Sequence, residues 1–149
     1  MALAEKIRSD LEQSIRKKDQ LRCSVLRLLL SSVHNAEIAQ QKKLDDDGIL
    51  IVADKEAKMR RESIEAFEKG NRPELVAKEK AELAILLEYL PEQMTRDQIV
   101  AAASKVISEL GASSVKDKGK VMSQLMPQLR GKAQGQEVSE VVNQLLSGT

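Results

Sequence analysis

The sequence predicts an all-α protein, with an N-terminal four-helix antiparallel hairpin domain over residues 1–91 and a small C-terminal three-helix domain over residues 92–149. Three observations predict it. Aromatic residues make up 1% of the chain, one Tyr and one Phe with no Trp, whereas sandwiches and barrels draw their strands from aromatic and β-branched residues. Apolar residues recur at three- and four-residue intervals along most of the chain. Seven Gly and three Pro fall mostly between these periodic segments and so punctuate helices.

Leu3, Ile7, Leu11 and Ile15 place one apolar row on a first helix that ends near Lys17 and Lys18. Asp19 is positioned to cap a second, on which Leu21, Val25, Leu28, Leu29, Val33 and Ile38 carry the pattern to about Gln41. Lys42 to Gly48, with three consecutive aspartates, reads as a turn with an N-cap. A third helix is expected from about Ile49 to Lys69, with a sparse apolar face and Gly70 as its left-handed stop. Pro73 suits the start of a fourth, where its missing N–H would be unpaired anyway, and Val76, Leu83, Leu86, Leu87 and Leu90 form its face.

Pro91 closes that helix, and Thr95 with Gln98 forms a capping box for the next. Ile99, Ala102, Ala103, Val106, Ile107 and Leu110 follow, and Gly111 ends the segment. Ser114 with Asp117 suggests another N-cap, ahead of Val115, Met122, Leu125, Met126 and Leu129. Pro127 is expected to kink or stop this helix, because its ring removes the bond to the Ser123 carbonyl. Gly131 and Gly135 bracket a loop, and Val138, Val141, Val142, Leu145 and Leu146 complete a last helix.

Charge and length exclude several functions. Lys and Arg number 24 against 23 Asp and Glu, a net charge of +1, so no global field draws the chain to nucleic acid or anionic lipid and any basic footprint is local. The 149 residues leave no room for a large multidomain enzyme. The single cysteine, Cys23, cannot form an internal disulfide, which fits a reducing compartment and an expected cytoplasmic location. One Cys and one His cannot build a four-ligand Cys/His cluster, and neither metal nor cofactor is expected. The longest apolar run, Val25 to Leu30, is broken by Arg27 and falls short of the ~20 residues of a membrane span. Residues Met1 to Leu11 lack the apolar stretch of a secretory signal, so no membrane partner is expected.

The residues offer no catalytic site. Cys23 and His34 lie eleven positions apart on one predicted helix, about 16 Å along its axis and out of hydrogen-bond reach. The Asp45, Asp46, Asp47, Gly48 cluster fails as a calcium loop, because Lys43 and Asp54 stand at its first and last ligand positions. Gly119 and Lys120 fail as a phosphate loop, since Ser114 replaces the required glycine and Val121 the required hydroxyl. One local concentration remains: Lys116, Lys118, Lys120, Arg130 and Lys132 against the single acid Asp117. On a helix Lys116 and Lys120 lie one turn apart, and Lys132 joins them only if the Pro127 kink allows. Gly119 leaves an indentation there. Charge alone makes this a solvated face. Arg16, Lys17, Lys18 and Arg22 form a softer second cluster.

At these residues the chain resembles a known family. The tail from Gly111 through Lys116, Lys118, Gly119, Lys120 and Met122, then Leu125 to Pro127 and Gly131 to Gly135, is similar to the YqeY family. Arg22 to Leu29, Glu62 to Gly70 and Glu88 to Pro91 extend the resemblance over nearly the whole chain. In that family the C-terminal part is similar to the tail domain of the GatB subunit of glutamine-dependent aminoacyl-tRNA amidotransferase. Gln134 departs from the family's Asp before the last helix, and Lys118 stands where an apolar Met is common. The resemblance implies a tRNA-binding or amidotransferase-associated adaptor, non-catalytic by itself, contacting tRNA through Lys116, Lys118, Lys120 and Lys132. Amidotransferase or aminoacyl-tRNA synthetase components are the implied protein partners, and glutamine-dependent carbon-nitrogen ligase chemistry is implied only for a complex. The alternatives are a protein-interaction module without RNA binding, whose N-terminal hairpins hold a partner helix in an apolar groove, and an accessory subunit of a glutamine-dependent carbon-nitrogen ligase.

Overall fold

The structure, a computed structural model, describes residues 2–147. Among them it is all-helical. The elements are α1 (Leu3–Arg16), α2 (Gln20–Gln40), α3 (Asp46–Lys69), α4 (Pro73–Leu87), α5 (Arg96–Leu110), α6 (Lys118–Leu129) and α7 (Gly135–Ser147), with a 3₁₀ turn at Val115–Asp117. They group into two compact units, Met1–Pro91 and Glu92–Thr149. None of the described helices is long and apolar enough to cross a membrane.

In the first unit, local chemistry sets the helix ends. The Arg22 N–H donates to the Asp19 carboxylate at 3.1 Å, which caps α2. The Gly48 N–H donates to Asp45 at 2.8 Å, so α3 starts at Asp46, three residues before the expected Ile49. Asp46 and Asp47 then occupy its first turn, where the helix dipole favours acids. The stop of α3 is also displaced: Gly70 has φ −82°, and the left-handed residue is Asn71 at φ 54°. Asn tolerates that conformation because its short polar side chain bonds locally, so the glycine's freedom goes unused.

The core of this unit joins Ile7, Val25, Leu26, Leu29, Val33, Ile49, Ile85 and Leu86. The sparse face of α3 buries Ala53 and Ala57 completely, and small side chains let that helix approach its neighbours closely. Ile15, Leu28 and Ile38 extend the predicted apolar rows but are 48%, 51% and 62% exposed. Their rows are wider than the faces the neighbouring helices cover.

Tyr89 pins the end of this unit to α1. Its hydroxyl donates to Asp10 at 2.6 Å, and Lys6 reaches the same carboxylate at 3.2 Å. That hydrogen bond holds the Asp10 carboxyl below its ordinary pKa, while burial and then the Asp10 bond push the phenol well above its own. An acid with a lowered folded pKa contributes stability that is complete above its unfolded value of about 3.9 and lost as pH falls through the folded value. Tyr89→Phe is therefore expected to cost about 1 kcal/mol at neutral pH, with the difference from the parent shrinking below about pH 4. Urea titrations at several pH values check it.

In the second unit both bonds of the Thr95 and Gln98 capping box form, and Gly111 ends α5 at φ 64°. Ser114 makes no capping bond. Asp117 instead accepts from the Ser113 N–H at 3.1 Å, and the chain takes a 3₁₀ turn before α6. Pro127 does not stop α6, which continues to Leu129; its ring forgoes the bond to the Ser123 carbonyl, and only two residues of the helix lie beyond it. The loop after α6 is tied down, since Gly131 and Lys132 carbonyls accept from Gln93 Nε2 at 2.7 Å and from the Met94 N–H at 2.8 Å. Ile99, Ala103, Val106, Val121, Leu125, Val138, Val141 and Val142 form the core of this unit.

Candidate functional site

The four lysines singled out by the sequence separate into two places. Lys116 lies in the 3₁₀ turn, Lys118 is the first residue of α6, and Lys120 follows two positions on. These three share the amino end of α6. Lys132 lies in the loop beyond Leu129, and because α6 runs unbroken for twelve residues, about 18 Å, it stands at the other end. The helix does not end at Pro127, so the four are not gathered at one end. Lys116, Lys120 and Lys132 are exposed, whereas Lys118 is half-buried rather than exposed.

The trio is electrostatically uncommitted. None of the three has an ion-pair partner among the described residues, and Asp117, the acid between them, turns back to the Ser113 N–H. A Cβ built on Gly119 would meet nothing within 4 Å, so the indentation opens outward. The second basic cluster is different. Arg22 donates to both Glu88 oxygens, at 3.3 and 2.9 Å, and lies 3.6 Å from Asp19. The Glu88 bond raises the guanidinium pKa further. Arg22 therefore clasps the start of α2 to the end of α4.

Cys23 is buried and its Sγ donates to Ser14 Oγ at 3.3 Å, while His34 is exposed further along the same helix. Asp45 serves as a cap, and Asp46 accepts from the Leu3 N–H at 3.0 Å. Among the described residues no group of three His, Cys, Asp or Glu side chains is placed to hold a metal ion.

Sequence alone assigned no residues to the groove of about 570 Å³ that lies between α2 and α3. Leu28, Ser32 and Ala36 line one wall, and Val52, Glu56, Met59 and Arg60 the other. Two of its charged residues are deeply placed, Glu56 at 9% and Arg60 at 8% exposure, while Lys55 stands exposed at its rim. Arg60 Nη1 bonds Glu79 at 3.2 Å and also bonds Glu82, itself 8% exposed. Burial pushes the Glu56 carboxyl above the ordinary range, against opposing pulls from a Ser32 hydrogen bond and the Arg60 charge. One Glu56 oxygen and Arg60 Nε have no hydrogen-bond partner. A signal was present: Glu56 and Arg60 occupy the same helical stripe as Ile49, Ala53 and Ala57, the stripe a helix normally fills with apolar residues.

Seven α-helices among the described residues, in two compact units, define an all-helical protein. The chain matches the family described as Yqey-like protein over residues 4–146, and it belongs to the YqeY family. It is 36% identical over 111 residues to Altered inheritance of mitochondria protein 41, mitochondrial, of Lachancea thermotolerans, covering 72% of this chain and 59% of that relative. The Kluyveromyces lactis protein of the same name is 33% identical over 111 residues, covering 72% of this chain and 60% of its own length. That of Pyrenophora tritici-repentis is 26% identical over 147 residues, covering 95% and 79%. The chain thus spans about three-fifths of the length of the first two. These relatives overturn the expected cytoplasmic location, since each is named as mitochondrial. A lone cysteine indicates a reducing compartment in general and does not single out the cytoplasm.

Proposed function

We propose that this chain is a non-catalytic adaptor that binds tRNA, or associates with a tRNA-dependent amidotransferase, through its C-terminal residues 92–149. The observation that carries the reading is the trio Lys116, Lys118 and Lys120, unpaired and set around the open surface of Gly119. Three ammonium groups at the amino end of a helix, where the dipole adds positive potential, suit phosphate oxygens. Such contacts position a nucleic acid by shape and charge, without stacking bases. The resemblance of the tail to an amidotransferase domain supports tRNA as the ligand and amidotransferase or aminoacyl-tRNA synthetase components as partners. Lys132, at the far end of α6, makes a secondary contact at most. Residues 1–91 and 92–149 act as separate domains on this reading, and glutamine-dependent carbon-nitrogen ligase chemistry belongs to a complex.

Filter binding of total tRNA across a salt series tests it. Changing Lys116, Lys118 and Lys120 together to Glu is expected to weaken binding strongly and to lower the salt slope by up to about 0.9 per lost contact. Lys132→Glu should have a smaller effect. Changing Arg16, Lys17 and Lys18 to Glu shifts the net charge equally in the other unit and leaves the Arg22 clasp intact. Equal loss from both triple variants, or no tRNA binding at low salt, overturns the proposal.

A further inference from the structure

We infer that Glu56 is a proton-operated latch between α2 and α3: it carries a proton in the folded protein, and giving up that proton loosens the two helices. The inference concerns the N-terminal unit and does not rest on tRNA binding.

Glu56 shares the buried stripe of α3 with Ile49, Ala53 and Ala57. One of its oxygens is sealed from solvent and has no hydrogen-bond partner. In a carboxylate that oxygen would share a full negative charge with neither water nor a donor to meet it, which is far costlier than leaving a neutral carbonyl oxygen unpaired. A carboxyl so placed takes up a proton instead. The Ser32 hydroxyl that bonds this carboxyl suits the acid as well as the anion, because a hydroxyl accepts as readily as it donates.

The surrounding charges do not hold Glu56 ionised. Arg60, one turn along the same helix, is the cation that acts on it, and that guanidinium already serves two carboxyls of α4, Glu79 at 3.2 Å and Glu82. Lys55 stands exposed at the groove's rim, and Lys78 of α4, also exposed, lies 3.9 Å from Glu82. From α2 come Ser32 and Asn35, neither charged, while His34 lines a different cleft. Among the described residues none from α1 lines the groove. Burial therefore outweighs the Arg60 attraction and favours the neutral acid.

The unfolded chain releases this proton at about pH 4.3, and the folded chain keeps it to higher pH. The stability it contributes is complete below about pH 4.3 and is lost as pH rises toward the folded value. Over that interval any opening that wets the carboxyl is increasingly favoured. Glu56 meets Ser32 across the contact between α2 and α3, so such an opening parts those two helices.

Urea titrations of the full chain at about pH 4 and about pH 8, on either side of the ordinary Glu-to-His range, compare the parent with Glu56→Gln, a neutral side chain of the same shape. The midpoint of the variant relative to the parent is expected to shift upward from the lower pH to the higher. Glu56→Met, which titrates nothing, should show the same upward shift and keeps the test decisive if the amide packs poorly. Carbon-13 NMR of the glutamate carboxyls should show one resonance that titrates above the others and is lost in Glu56→Gln. At the higher pH, amides of α2 and α3 should exchange hydrogen faster in the parent than in Glu56→Gln, with those of α5, α6 and α7 unchanged. A relative midpoint that does not rise with pH in either variant, or glutamate carboxyls that all titrate together, overturns the proton on Glu56. Equal exchange of α2 and α3 in the two proteins overturns the latch.

Discussion

Arg60→Ala is expected to destabilise the N-terminal unit by about 3–5 kcal/mol, the cost of leaving one member of a buried ion pair without the other. Glu82 is 8% exposed and bonds Arg60 Nη1, so removing the guanidinium strands a carboxylate away from water. Glu79 loses its bond to the same nitrogen. The sign depends on breaking the pair, because replacing both partners with apolar residues of similar size is often neutral or stabilising. The double variant Arg60→Met with Glu82→Leu should therefore recover most of the loss. Urea unfolding of the two variants decides the matter. A cost below about 1 kcal/mol for Arg60→Ala would place the pair among solvated surface contacts.

Leu125→Ala is expected to cost about 2–5 kcal/mol in the second unit, the range for truncating a fully buried leucine. Leu125 has no exposed surface and lies in the core formed by α5, α6 and α7. A unit of this size is only modestly stable, so a loss at the upper end unfolds it. Tyr89, the only tyrosine in a chain without tryptophan, lies in the other unit. Its near-ultraviolet signal should survive while helical circular dichroism falls in part. Loss of both signals in one transition would show that the chain folds as a single cooperative body.

Most of the helical pattern was legible because it rests on local rules. Asp19, the Thr95 and Gln98 box and Gly111 act through bonds within four residues, and each does what its type and position imply. The misreadings arose where two local solutions compete. Either Gly70 or Asn71 could take the left-handed turn, and only the final register of α3 selects Asn71. Lys116 was read onto a helix because helical spacing does not distinguish a 3₁₀ turn leading into one. The groove was the least legible feature. Glu56, Arg60 and Glu82 are ordinary surface residues by composition; the stripe that Glu56 and Arg60 share with Ala53 and Ala57 hints at their burial, and the packing of α3 against its neighbours establishes it. Leu28 errs the other way, an apolar residue of the right period that the fold leaves in water.

Cys23 gives this protein an internal clock. Its thiol is buried against Ser14, so a water-soluble alkylating reagent reaches it only when α1 and α2 part. At high reagent concentration the labelling rate reports how often that opening occurs, and at low concentration the population of the open form. Because the chain has no other cysteine, every labelled molecule records the same event. The breathing of one helix hairpin can thus be timed under native conditions, without introducing a probe.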